Sequence, residues 1–436
     1  MPDQRAPRPP LLAQIAGKRV ILYGAGKIGQ RIHSALNWFG QPVDAFWDMR
    51  PEQVDWNGDT PVVEPDFSPA DRTTAENMAF VVTIFAENIR DQIRDRLHAA
   101  GYQQVFFARE DITELLHAEC ASRKAAGQFE FDLPTCHSCP VVSDTRNQCD
   151  IFDAHVRTHF ARGLDPAHPP TLIAPSIGVL VSNKCTLTCV GCNHLRDYYE
   201  HEDNVDLPPV QILADLARLV SAVDMVNKLV VVGGESLLHP EIEALLEGIL
   251  ALPKVGIVQV ITNGTVIPKS DRVFELLANE RVMVEISGYG EHIPLKFERN
   301  VDRFIARLEA VGAHYRYVRT LQWFDFGGFE QRQYTDAQLR RVYNTCCFIS
   351  NDIWNGQLHK CSRSAYGQHI GRIPAYAEDF VDLREGSIEA LRARLAAFQQ
   401  LSYPKACDHC NGASTATIPA GQQVRFVRKQ DKAEAA

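Results

Sequence analysis

At 436 residues, with 45% hydrophobic and 23% charged side chains, the chain has the composition of an ordinary globular protein of several domains. Its 45 basic and 54 acidic side chains leave a net charge of -9, which argues against a general binder of nucleic acid or anionic membrane. The opening MPDQRAPRPP lacks an apolar core of signal-peptide length and the next apolar run, VILYG, is too short to cross a bilayer, so a cytoplasmic protein with no membrane insertion is expected. In that setting the twelve cysteines read as metal ligands before disulfides.

The first cysteine-free stretch, residues 18 to about 110, alternates strand and helix patterns. Arg19 to Tyr23 predicts a buried strand, Gly24 to Gly29 opens a helix, and Val43 to Asp48 predicts a second strand. Ala79 to Ile84 and Val105 to Phe107 read as further strands, with Ile89, Ile93 and Leu97 at helical spacing between them. Gly24-x-Gly26-x-x-Gly29 after a strand, with Asp48 19 residues beyond Gly29, has the form of a dinucleotide-binding fingerprint. The glycines would let a pyrophosphate lie on the helix N-terminus, and Asp48 would take a ribose hydroxyl. The alternative is a degenerate domain that binds nothing.

Residues from 111 to about 175 read as an irregular connector with some helix. It carries Cys120, Cys136, Cys139 and Cys149, either a metal-binding group or unliganded thiols. Beyond Ile177 the pattern becomes strand, helix, strand in regular succession: Val179 to Val181, a helix with Ile212, Leu216 and Val223, Leu229 to Val232, a helix with Ile242 and Leu246, Ile257 to Ile261, and Val282 to Ile286. Such repetition predicts a parallel sheet flanked by helices, open or closed into a barrel. A further helix is expected over Ser387 to Gln400, and disorder in the polar tail around Arg428.

Cys185, Cys189 and Cys192 follow the first strand of that region, on a loop at the carboxyl end of the sheet where active sites gather. Three thiolates suit either of two centres. A zinc site needs a fourth ligand, for which His194 stands two residues on. A cubane iron–sulfur cluster held by three cysteines keeps one iron open to a non-protein ligand.

The C-x3-C-x2-C spacing resembles the signature of the radical S-adenosylmethionine (radical SAM) superfamily. Gly233-Gly234-Glu235 after the next strand is similar to that family's G-G-E motif, Thr262-Asn263-Gly264 to its T-N-G turn, and Ser287 falls where members place a hydroxyl near the ribose. The resemblance implies a partial (β/α)6 TIM-like barrel and a 4Fe-4S cluster on Cys185, Cys189 and Cys192. It also implies that Gly233, Gly234, Glu235, Asn263 and Ser287 bind S-adenosylmethionine, which the reduced cluster cleaves to a 5'-deoxyadenosyl radical. One departure stands out: members usually carry an aromatic residue before the third cysteine, and here it is Gly191.

Cys346, nine residues, Gly356, four residues and Cys361, then Cys407-Asp-His-Cys410, would close a zinc site or a second 4Fe-4S cluster equally well. The arrangement resembles the SPASM extension of radical SAM enzymes, and more closely its one-cluster form, Twitch, because no cysteine follows Cys410. Cys347 is a possible replacement ligand, a hydrogen donor or a packed thiol. The expected fold is therefore α/β throughout: a small Rossmann-like domain over 1–115, a linker over 116–174, a radical SAM core over 175–325, a Twitch/SPASM-like domain over 326–420 and a tail over 421–436.

The front domain resembles Rossmann-like domains fused to sugar-modifying and polysaccharide-biosynthesis enzymes. The first expectation is accordingly a sugar, nucleotide-sugar or glycan precursor as substrate, altered by dehydrogenation, epimerisation or rearrangement, with a flavodoxin or ferredoxin as reducing partner. The competing readings are a peptide-modifying maturase and, from another class, a zinc-stabilised nucleotide-binding or scaffold protein.

Overall fold

The computed structural model describes residues 9–84, 87–106, 109–139, 141, 149–165, 167, 170–199, 204–289, 293, 300–346, 350–413 and 416–424. The chain divides into two units, Met1–Phe152 and Asp153–Ala436, so the stretch read as a linker is shared between them. No helix among the described residues is long and apolar enough to cross a membrane.

Unit 1 runs α1 (Pro10–Gln14), β1 (Arg19–Tyr23), α2 (Lys27–Trp38), β2 (Ala45–Trp47), β3 (Val62–Val63), α3 (Arg72–Asn77), β4 (Met78–Val82), α4 (Glu87–Ala99), β5 (Val105–Phe106), α5 (Arg109–Ala125) and α6 (Leu133–Ser138). A helix α7 (Asp150–His155) crosses the division. The five strands form one parallel sheet in the order β3-β2-β1-β4-β5, which reverses direction between β1 and β4. Both faces are covered, so β1 is apolar at every interior position. Val20 and Leu22 enter a core with Ile32 and Leu115, and Ile21 and Tyr23 enter a second with Phe80 and Leu97. Where an irregular linker was expected to begin, α5 is a regular helix that buries Ile112, Leu115 and Leu116 at helical spacing.

Unit 2 contains β6 (Ile173–Ala174), β7 (Ile177–Leu180), α8 (Pro209–Ala222), β8 (Met225–Val232), α9 (Ile242–Ala251), β9 (Val255–Thr262), α10 (Asp271–Leu277), β10 (Val282–Gly288), α11 (Val301–Ala310), β11 (His314–Arg319) and β12 (Gln322–Phe324). There follow α12 (Asp336–Thr345), β13 (Asp352–Trp354), β14 (Gln357–His359), α13 (Ser362–His369), β15 (Phe380–Asp382), α14 (Ile388–Gln399) and β16 (Thr417–Pro419). Strands β7 to β11 lie side by side in chain order, all parallel. β13 extends the β7 edge in parallel, and β14 and β15 continue it antiparallel, so the central sheet is mixed.

The β13–β14 hairpin explains Gly356. Asn355 and Gly356 both take positive φ, 47° and 82°, as a two-residue hairpin turn requires. Cys361 is thereby delivered two residues beyond β14.

Alternation along the parallel strands sorts the sheet's two faces. Leu229, Val231, Val258, Val260, Val284 and Ile286 pack with helical residues such as Leu216, Leu245 and Phe274 in one core. Lys228, Gln259, Glu285, Ser287 and Arg316 occupy the alternate positions and present a polar row on the opposite face.

Residues 421–424, the first part of the stretch counted as the tail, pair with the cysteine loop. Val190 N–H donates to the Gln422 carbonyl at 2.7 Å and Val424 N–H to the Thr188 carbonyl at 3.0 Å. The segment thus forms an antiparallel bridge, Cys189 opposite Gln423, with the cysteine loop. The remainder of the tail, 425–436, with the stretch from Arg428 for which disorder was expected, lies outside the described residues, as does Cys347.

Candidate active site

β7 ends at the carboxyl edge of the parallel strands and runs into the loop that carries the three cysteines. Just before them, Ser182 to Lys184 is clasped by the end of β8. Gly234 N–H donates to the Ser182 carbonyl and Glu235 N–H to the Lys184 carbonyl, both at 2.8 Å. A Cβ on Gly233 would stand 2.3 Å from the Ser182 oxygen, and one on Gly234 2.0 Å from the Lys184 oxygen. The two glycines are required where one backbone crosses another, independently of any ligand.

Burial pushes the Cys185 thiol up to about 12, reinforced by Glu235. Cys189 is raised further, by burial and then by the other two thiols, and Cys192 by burial. Against this, every sulfur receives N–H groups that favour its thiolate. Cys185 accepts from Leu187 N–H and from the Asn263 side-chain amide, each at 3.4 Å. Cys189 accepts from the Gln423 amide at 3.1 Å, and Cys192 from the backbones of Arg196 and His194. Three desolvated thiols with donors already in place suit a cationic metal centre that removes their protons.

Glu235 is 1% exposed, and burial raises it to about 7. Its carboxylate accepts from Leu237 N–H at 3.1 Å, Thr262 Oγ1 at 2.8 Å and Asn263 N–H at 2.7 Å. It therefore ties the end of β8 to the turn after β9. Asn263, so held, reaches Thr186 Oγ1 at 3.2 Å as well as Cys185. The structure thus brings Gly233, Gly234, Glu235 and Asn263 together around the Cys185 end of the loop.

His194, the rival zinc ligand, is hydrogen-bonded to the Gly233 backbone and stands edge-on to Tyr366 with ring centroids 5.8 Å apart. Burial holds its imidazole down to about 4. Gly191, which replaces the expected aromatic, has φ +64°, and a Cβ there would lie 2.4 Å from Ile418 of β16. The C-terminal strand covers the position where a larger side chain was expected.

Sequence reasoning missed two neighbours of the cysteines. Tyr289 follows β10, is hydrogen-bonded to Ser287, and is raised far above its ordinary value by burial and by the thiols of Cys189, Cys185 and Cys192. Its place one residue past a strand end was a usable signal. Gln423 had none, because only the folded chain returns it to the loop. The polar row was also unread: Gln259 Nε2 donates to Glu285 Oε2 at 2.7 Å, Arg316 pairs with the same carboxylate, and burial lowers Lys228 to about 8.

The second cysteine set converges as well. Cys346, Cys361, Cys407 and Cys410 line a single cavity of about 40 Å³ in unit 2. Burial raises Cys361 and Cys407, and the neighbouring thiols of the set add to it. Ser364 N–H at the start of α13 donates to Cys361 and Gly412 N–H to Cys410, each at 3.4 Å.

In unit 1 the fingerprint glycines take distinct places. Gly24 has φ +107°, a Cβ on Gly29 would lie 2.0 Å from the Gly24 oxygen, and one on Gly26, at the start of α2, would meet nothing within 4 Å. Asp48 is used by the chain itself, accepting from Ala25 N–H and from Arg50 N–H, both at 3.0 Å.

A loop with three cysteines at the carboxyl end of a parallel sheet is an arrangement suited to a metal-dependent site. Residues 179–316 match the family model described as the radical SAM superfamily. That match runs from β7 into β11 and takes in the cysteine loop and the ends of β8, β9 and β10. No curated protein matches. Among solved structures, "Native anSMEcpe with bound AdoMet and Cp18Cys peptide" aligns at 12% identity over 61% of this chain and 96% of that one, TM-score 0.37. "BtrN in complex with AdoMet and 2-DOIA" aligns at 14% over 56% and 97%, TM-score 0.39. "Streptococcus suis SuiB bound to precursor peptide SuiA" aligns at 19% over 47% and 46%, TM-score 0.25.

Proposed function

We propose that Cys185, Cys189 and Cys192 hold a 4Fe-4S cluster and that S-adenosylmethionine binds beside it at the ends of β8, β9 and β10. The observation that carries this is the loop itself: three desolvated sulfurs, each supplied with N–H donors, beside the Gly233-Gly234-Glu235 strand end. When bound, the cluster supplies the electron that cleaves S-adenosylmethionine to a 5'-deoxyadenosyl radical, which abstracts hydrogen from a C–H bond of the substrate. The chain's own residues fix the loop through Asn263 and Gln423, shield it from water with Ile418 and Tyr289, and offer Ser287 and the polar row of Lys228, Glu285 and Arg316 toward polar groups of cofactor or substrate.

For Cys346, Cys361, Cys407 and Cys410 the reading is an auxiliary 4Fe-4S cluster in a Twitch/SPASM-like extension. Four protein ligands leave no open iron, so its role is electron transfer or structural. The front unit is read as a Rossmann-like domain with Gly24, Gly26, Gly29 and Asp48 as its nucleotide site. A flavodoxin or ferredoxin is the reducing partner of this reading.

A peptide is placed first as substrate class, ahead of the sugar or glycan precursor suggested by the front domain. Two of the structures named above are described with a peptide and one with 2-DOIA. Within this chain, β12 and β16 form a two-stranded ribbon whose Ile418 lies against Gly191 of the cysteine loop. A ribbon edge beside the loop is suited to an extended peptide added through main-chain hydrogen bonds.

The test is incubation of the anaerobically reconstituted protein with S-adenosylmethionine and a strong reductant. Formation of 5'-deoxyadenosine is expected; none from an iron-loaded protein, or zinc in place of iron, overturns the reading. Comparing turnover with peptides and with nucleotide-sugars then separates the substrate classes.

A further inference from the structure

Unit 1 has a cysteine constellation that the chemistry above does not use. Cys120 on α5, Cys136 on α6, Cys139 at the end of α6 and Cys149 before α7 line one cavity of about 320 Å³, with Arg31, Glu119 and Arg123 on its wall. The four cysteines come from three chain segments, so the convergence is a product of folding rather than of sequence spacing alone.

Burial in this cavity favours neutral thiols over separate thiolates. Burial pushes Cys136 up to about 12 and Cys149 to about 11, and in each case the other thiols of the group push the same way. Cys120 is also raised, first by burial, although Arg31 Nη2 approaches its sulfur at 3.3 Å and opposes the shift. A mixed donor set adjoins them: His117, Cys149 and Asp150 have ligand atoms all within 4.8 Å of one another. Packing of small apolar thiols is the simpler account for any one of them. It does not account for four thiols lining one cavity.

We propose that unit 1 holds a metal–thiolate centre of its own, with Cys120, Cys136, Cys139 and Cys149 as its ligand set. On binding, each S–H gives its proton to solvent as a metal–sulfur bond forms, and the thiolates so produced are stabilised by a shared cation. The same four-thiolate chemistry serves one zinc ion or one 4Fe-4S cluster. In either case it fastens α5, α6 and the start of α7 to one another, and it is independent of the radical SAM reading of unit 2.

The experiment uses the full chain, purified anaerobically, with iron, zinc and acid-labile sulfide measured per chain in wild type and in the Cys136→Ser/Cys139→Ser double variant. A drop of about four irons and four sulfides identifies a cluster, and a drop of about one zinc identifies a zinc site. Unchanged metal and sulfide in the folded variant overturns the proposal. Should the variant not fold, native wild type is alkylated before and after a chelator, and modified cysteines are mapped by mass spectrometry. Cys120, Cys136, Cys139 and Cys149 are expected to become reactive only after metal is withdrawn; reactivity that the chelator does not alter overturns the proposal equally.

Discussion

The side-chain amide of Gln423 donates to the sulfur of Cys189 at 3.1 Å, joining residues 234 positions apart. The same side chain accepts from Thr188 N–H at 2.9 Å, so one glutamine holds both the sulfur and the backbone of the loop. Gln423→Ala removes both bonds, including the part-buried one from Thr188 N–H, a loss of about 1 kcal/mol to the local structure. Cluster retention and 5'-deoxyadenosine formation are expected to fall while unit 1 melts unchanged. Equal iron content and equal turnover in wild type and variant count against the role.

Cys189→Ala tests the loop directly. The variant is expected to lose 5'-deoxyadenosine formation and about four irons per chain, and to keep the iron of the Cys346, Cys361, Cys407 and Cys410 set. Iron counted in both proteins after reconstitution checks the separation, and a variant that still cleaves S-adenosylmethionine would end the assignment.

Gly234→Ala places a Cβ 2.0 Å from the Lys184 carbonyl oxygen, which is backbone and cannot swing aside. Displacement of the segment before Cys185 is expected, with a cost of about 1–3 kcal/mol or more. Circular dichroism melting and iron content should both report it.

Lys228 stands on the polar face, its ammonium lowered to about 8, first by burial, then by Arg316, against a smaller opposite effect of Glu285. Between about 8 and the ordinary lysine range the unfolded chain binds more protons than the folded one, so stability rises with pH across that window. Below it, the folded protein carries the full cost of a buried charge. Lys228→Met is therefore expected to be more stable than wild type at pH 7, to show less gain between pH 8 and 10, and to turn over more slowly. Urea midpoints at the two pH values, beside turnover, check all three.

Asp224 is held well below the usual carboxylate range, chiefly by Arg392, whose Nη1 and Nη2 donate at 2.8 and 2.9 Å. Thr171 and Leu172 N–H groups add bonds at 2.7 and 2.8 Å, so the carboxylate fastens α14 to the chain entering β6. A depressed carboxyl contributes stability above its unfolded value and loses it as pH falls toward the folded one. Both side chains are about a third exposed, and solvent screening limits the effect. Arg392→Ala is expected to cost about 1 kcal/mol at pH 7 and to lose less than wild type on acidification below about pH 4, read from urea midpoints.

Much of the fold was legible because it rests on local periodicity. The run Arg19 to Tyr23 is β1 to the residue, and the apolar helices after β7 and β8 follow spacings visible in the chain. α5 carries the same kind of signal, with Ile112, Leu115 and Leu116 buried at helical spacing where an irregular connector was expected. β3, two residues long, carries no pattern of its own and exists because β2 offers it an edge.

By itself the sequence determined the cysteine spacings, the glycines at the strand ends and the succession of β and α elements, since each is written within a few tens of residues. Tertiary structure decided the rest. It turned Glu235 into a tie between β8 and β9, returned Gln423 and Ile418 to the cysteine loop, lined up Lys228, Gln259, Glu285 and Arg316 across four strands, and drew two sets of four thiols to separate cavities. Those relationships join residues distant in the chain, and strand register and helix packing, rather than any local propensity, bring them together.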